Sequence, residues 1–215
     1  MFRFRRNLRR EFEQEALPHL DALYGAARKL TYDEHDAQDL VQETMLRAYK
    51  FFHQYQPGTN VRAWLFRVLY TTFVNGYRSR VRQSRFFEDA ERADHYELVA
   101  GEQVGVTTLP DEVVHWRLIE EDVRRALGLV PPEFRMAVIL CDIEGFTYKE
   151  IAEILDCPVG TVMSRIYRGR RILQRLLRSH AAEAGIACNE EEQGESGQVV
   201  SLMGRLRERN RQERG

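Results

Sequence analysis

The sequence predicts an all-α chain of two small helical modules joined by an acidic linker, the second module containing a helix-turn-helix. Three observations carry this expectation. Apolar residues recur at helical spacing through most of the chain, and no convincing alternating strand interrupts them. Between residues 86 and 111 that periodicity gives way to carboxylates, glycines and a proline. The segment 147–171, TYKEIAEILDCPVGTVMSRIYRGRR, reads as two short helices about a tight turn. The expected boundaries are 11–85 for the first module, 86–111 for the linker, 112–180 for the second module and 181–215 for a disordered tail.

The first apolar stripe runs through Phe12, Ala16, Leu20, Leu23, Ala27 and Leu30, with Pro18 marking a helix start or a kink. Asp33 can cap the next helix, whose acidic first turn, Glu34 and Asp36, suits the positive end of the helix dipole. The cluster DEHD (33–36) resembles a metal set only superficially, because consecutive helical residues diverge by about 100° and do not converge on one ion. YQPGTN (55–60) is a Pro-Gly turn. Thr59 or Asn60 can cap the helix after it, in which Val61, Leu65, Val68 and Leu69 face inward.

In the second module a helix over about 112–127 closes at Gly128, another is entered through Pro131 and Pro132, and a turn follows at GFT (145–147). Thr147 and Glu150 form an S/T-x-x-E capping box before Ile151, Ala152, Ile154 and Leu155. Pro158 stops that helix and suits the first turn of the next. The last helix buries Val162, Ile166, Leu173 and Leu177 and leaves Thr161, Ser164, Arg165, Arg168, Arg171 and Arg175 largely outward. Small Ala152 stands where the two helices cross. Beyond 182 the chain reads as disordered, although Val199, Leu202, Met203 and Leu206 could form one short helix.

The 215 residues carry 32 Lys+Arg against 33 Asp+Glu, a net charge of -1, but the charges are segregated. Residues 62–85 hold six arginines and no acid, and so do residues 160–178. Cys141, Cys157 and Cys188 are too few and too scattered for a disulfide framework, and no group has zinc-ligand spacing. No metal, cofactor or catalytic residue is expected: GxxxxGK[ST], HExxH and GxSxG are all missing from the sequence. Nowhere do about 18 apolar residues run together, so a cytoplasmic protein without membrane insertion is expected.

A helix-turn-helix lays its second helix in the major groove, early side chains on base edges and later arginines on phosphates. The other basic block, NVRAWLFRVLYTTFVNGYRSRVRQ (60–83), alternates arginine with Trp64, Phe66, Tyr70, Phe73 and Tyr77. Arginine with aromatics suits single-stranded bases, since stacking contributes about 1–3 kcal/mol per base. Trp64 and Phe73 are expected in the core, whereas Tyr55, Phe66, Thr71 and Asn75 are expected outward beside Arg67 and Arg78.

Trp64 within NVRAWLFRV, DAQDLVQETMLRAY (36–49) and TYKEIAEIL...PVGTVMSRIYRGR together resemble the extracytoplasmic-function (ECF) sigma factors of bacteria, over about residues 11–180. The resemblance implies no catalysis by the chain itself and work with core RNA polymerase. It implies that Asp36, Asp39, Leu40, Gln42 and Glu43 face the polymerase. Arg47, Tyr55, Phe66, Arg67, Thr71, Asn75 and Arg78 are implied to grip melted promoter DNA at the downstream element. Thr161, Met163, Ser164, Arg165, Tyr167 and Arg168 are implied to contact the upstream element as duplex. Asp156 stands where the family usually has Gly, and Met163 where relatives often present a long polar side chain. The linker is implied either to thread near the polymerase RNA path or to act as a tether.

FHQYQPGTNVRAWLFRVLYTTFVNGYR is similar to the subgroup released by thiol oxidation of a small anti-sigma protein. This implies a zinc-binding, redox-sensitive anti-sigma partner and a role in a stress response. Competing readings are a stand-alone helix-turn-helix regulator, which would have no use for residues 55–82, and a nucleic-acid enzyme.

Overall fold

The computed structural model describes residues 2–31, 33–88 and 123–183, and every element among them is helical. The expected linker beyond Glu88, the start of the helix expected at 112, Cys188 and the short helix proposed around Leu202 lie outside the described residues.

Helix α1 spans Phe2–Ala16 and α2 spans Leu20–Thr31. Pro18 falls in the 3-10 turn Leu17–His19 between them, so the apolar stripe continues across a break rather than along one helix. Phe12, Ala16, Leu23, Ala27 and Leu30 are buried as expected, but Leu20, at the break, is exposed. Helix α3 spans Glu34–Phe51, and its Asp33 cap accepts a hydrogen bond from the Asp36 backbone N–H at 2.9 Å. That bond holds the Asp33 carboxyl below the usual carboxylate range.

Helix α4 spans Val61–Glu88, running three residues past the expected module boundary. Of its two candidate caps, Asn60 serves: its Oδ1 accepts from the Ala63 backbone N–H at 3.0 Å. Leu65 and Leu69 are buried, while Val61 and Val68 are half-buried. Phe73 lies in the core as expected, and Trp64 is half-buried against it.

Helix α5, described over residues 123–129, runs one residue beyond Gly128 before the chain turns at Val130, whose N–H donates to Leu127 O. Helix α6 spans Pro132–Val138 and continues into a π turn, Ile139–Ile143, in which the Glu144 N–H reaches back five residues to Ile139 O at 2.9 Å. Gly145 then takes φ 71°, a left-handed value that suits glycine, as the chain turns into helix α7, Tyr148–Leu155. Helix α8, Val159–Glu183, packs on α6 with Gly169 against Phe134 and Val138.

The buried apolar residues of the two halves form one connected cluster reaching from Phe12 to Leu173. A seam between α4 and the 144–156 region joins the halves: Phe66, fully buried, meets Phe146 edge to face with ring centroids 5.1 Å apart.

Candidate nucleic-acid interface

The helix-turn-helix is set by three local devices. At the start of α7 the capping box is complete: Thr147 Oγ1 accepts from the Glu150 N–H at 3.4 Å, and Glu150 Oε2 accepts from the Thr147 N–H at 2.8 Å. The Thr147 backbone and hydroxyl and the Asn60 amide together hold the Glu150 carboxyl below its ordinary range. At its end Asp156 takes φ 51°, ψ 53°, and its N–H donates to Ala152 O. Asp tolerates this left-handed conformation where most residues do not, so the turn forms without glycine. Pro158 O then accepts from the Thr161 and Val162 N–H groups as α8 begins.

These devices present one face of α8. Met163, Ser164, Tyr167, Arg168 and Arg171 are exposed, and Met163 and Tyr167 are more than half exposed at 53% and 58%. The Arg171 guanidinium sits over the Tyr167 ring at 5.9 Å. Thr161 and Arg165 are half-buried, with Arg165 Nη1 3.6 Å from Cys157 Sγ, so they flank the face rather than lead it. Arg170 points the other way: its Nε donates to Asp142 Oδ2 at 3.0 Å, anchoring α8 to the π turn. Asp142 in turn holds the Arg170 guanidinium above its usual range.

On the first module, Arg67, Thr71, Asn75 and Arg78 are all exposed, and their spacing of four, four and three residues puts them on one line along α4. The Thr71 hydroxyl donates to Arg67 O at 2.8 Å. Two expectations are corrected. Tyr55 is buried, stacked on Phe52 with its hydroxyl donating to Thr59 O at 2.8 Å, because the Pro-Gly turn folds the ring under the chain. Phe66 is fully buried, because α4 packs on both modules and this ring fills the seam. Arg47 Nε is held by Glu43 Oε1 at 2.6 Å.

Along α3, Asp39, Gln42 and Glu43 are exposed and Asp36 is half-buried, but Leu40 is buried in the core and is corrected from the outward set. The exposed line runs on through Leu46 and Tyr49, which are 61% and 44% exposed and which sequence reasoning missed. Their spacing from Asp39 and Gln42, seven residues each, could have found them. Among the described residues no group of His, Cys, Asp and Glu comes together to hold a metal ion, and no helix is long and apolar enough to cross a membrane.

Residues 17–83 match the family Sigma-70 region 2, and residues 120–173 match Sigma-70, region 4. The ECF RNA polymerase sigma factor EcfG of Rhodopseudomonas palustris is 39% identical over 78% of this chain and 84% of its own length. The chain belongs to the ECF RNA polymerase sigma factors. Members of this family are non-catalytic transcription initiation factors. A second ECF factor, SigE of Mycolicibacterium smegmatis, is 40% identical over 77% of this chain, which spans 61% of that relative's length. Among solved structures, the sigma factor RpoE of Bartonella quintana, determined in complex with the anti-sigma factor NepR, superposes with a TM-score of 0.61 at 32% identity. That superposition covers 78% of this chain and 97% of RpoE.

Proposed function

We propose that this ECF sigma factor binds core RNA polymerase, directs it to specific promoters and nucleates strand opening. The exposed line of α3, with Asp39, Gln42 and Glu43 and half-buried Asp36 beside them, meets the polymerase. The α8 face of Met163, Ser164, Tyr167 and Arg168, flanked by Thr161 and Arg165, holds the upstream element as duplex. Arg67, Thr71, Asn75 and Arg78 on α4, with Arg47, hold the melted strand. The observation that carries this reading is the presence of two exposed cationic faces, one on a helix-turn-helix and one on a separate helix. A protein that only docks on duplex DNA needs the first and not the second.

The test is run-off transcription with purified bacterial core enzyme on a promoter library. The factor should confer discrete start sites, and failure to do so on any template would overturn the reading. The stand-alone regulator predicts firm binding to duplex DNA without polymerase. Here a gel shift should show weak binding alone and salt-sensitive binding once core enzyme is added.

An anti-sigma protein is the proposed negative partner, supported by the likeness to a sigma factor solved with one. The resemblance of residues 52–78 to the thiol-controlled subgroup supports a zinc-binding, redox-sensitive partner and a role in a thiol-oxidative stress response. Release by diamide of a copurified zinc protein would bear this out, and a grip unchanged by diamide would refute it.

A further inference from the structure

The outward face of α8 carries two large apolar side chains where a helix-turn-helix meets base edges. Met163 is 53% exposed and Tyr167 is 58% exposed. They stand four residues apart, so they are neighbours on one side of the helix. Arg171 continues the same line one turn further on, its guanidinium over the Tyr167 ring at 5.9 Å. The core makes no use of this line: the buried side of α8 is built by Val162, Ile166 and Leu173.

The early part of this face is poor in hydrogen-bond donors. A methionine thioether has no hydrogen to donate and accepts only weakly. The Ser164 hydroxyl beside it donates to Thr161 O at 2.9 Å, which leaves its oxygen to accept rather than donate. Guanine presents two acceptors, N7 and O6, in the major groove and calls for a donor such as arginine or lysine. The 5-methyl of thymine is the one apolar group that the four base pairs display there, and the adenine opposite it adds an amino donor that suits an accepting hydroxyl. We propose that Met163 selects a thymine in the upstream element by packing on its 5-methyl group. Tyr167 shields that contact from water, and Arg171 holds the Tyr167 ring. The inference rests on the assignment of this face to duplex DNA made above, and it adds which base the face prefers and by what contact. An arginine in place of Met163 would supply the missing donors and turn the preference toward guanine.

The test uses the full-length factor with core enzyme on a promoter chosen by run-off transcription, its upstream element mapped by footprinting. Each thymine of that element, on either strand, is replaced in turn by deoxyuridine, which removes the methyl group and leaves the pairing edge intact. One replacement should weaken holoenzyme binding by about fourfold, the effect of losing one buried methyl-sized contact. With Met163→Ala the same replacement should change binding by less than about 1.5-fold, because the partner of the methyl is already gone. Met163 is exposed and alanine favours helix, so this variant should fold like the wild type, which urea unfolding verifies. Selection from a randomised upstream element should move from thymine to guanine at that pair in Met163→Arg.

An upstream element without thymine, or a wild-type holoenzyme indifferent to deoxyuridine at every thymine, would overturn the inference. So would a deoxyuridine penalty that persists undiminished in Met163→Ala. In each of these cases normal initiation by the wild type would leave the sigma reading standing. Failure of every form to direct initiation would instead overturn that reading, and the inference with it.

Discussion

The Phe66 ring, near the start of α4's cationic stretch, meets Phe146 with planes 70° apart and no solvent exposure. An aromatic side chain that looks available for stacking on a base is part of the core. Phe66→Ala should therefore cost about 3–5 kcal/mol of stability, the usual range for a buried phenylalanine. Urea unfolding reads this directly, and loss of promoter opening in that variant would carry a folding component.

Asn75 separates the two effects. It is exposed on the same helix, so Asn75→Ala should change stability by no more than about 0.5 kcal/mol. Promoter occupancy should remain while opening is impaired. Permanganate reactivity of thymines in the bubble checks it, and normal reactivity would remove Asn75 from the strand-holding set.

Arg168 and Arg170 sit two residues apart and should behave oppositely. Arg168 is exposed, so Arg168→Ala should leave stability nearly unchanged and lower the log–log salt slope of promoter binding by about 1. Arg170→Ala strands the buried Asp142 carboxylate and should cost roughly 3 kcal/mol. Paired unfolding and salt titrations on the two variants distinguish them.

Gly169 packs where α8 crosses α6. A Cβ there would lie 2.6 Å from Val138 Cγ2 and 3.1 Å from Phe134 O. Val138 is buried and stiff about its side-chain bond, and the carbonyl belongs to the backbone, so neither yields easily. Alanine gains about 1 kcal/mol in helix propensity, but overpacking of about 1–3 kcal/mol wins, and Gly169→Ala should lower the urea midpoint.

Acid should weaken the α7 cap. The folded-state pKa of Glu150 is depressed, so its contribution is fully present above the ordinary value of 4.5 and is lost as pH falls through the lower folded value. Glu150→Gln should be less stable than the wild type at neutral pH, and the gap should close as pH drops below 4.5. A gap constant down to pH 3 (about one unit below the range where free carboxylates titrate) would contradict this.

The signals legible in the sequence are those whose chemistry is local. The Thr147–Glu150 box, the Asp33 cap and the left-handed Asp156 each involve residues within about four positions of one another. The burial of Tyr55 and of Phe66 is not legible in the sequence, for different reasons. Tyr55 lies in a turn, where no helical period reports its direction. Phe66 follows Leu65 by about 100° around α4, so a period fitted to one buried face places it outside. The helix has a second buried face because a second module lies on it. Leu40 stands in the polymerase-facing set only through the family resemblance; its own apolar character and position beside Val41 point inward, and it is buried.

Helix positions, caps, the turn of the helix-turn-helix and the two blocks of arginine follow from the order of residues, because hydrogen bonds and side-chain periods within a helix join near neighbours. Which arginines and aromatics remain exposed was decided only in three dimensions. Arg62 finds Glu144 across 82 positions, and Arg135 finds Leu30 across 105. Contacts of that reach depend on how all the buried faces pack together, and no short window of sequence holds that sum.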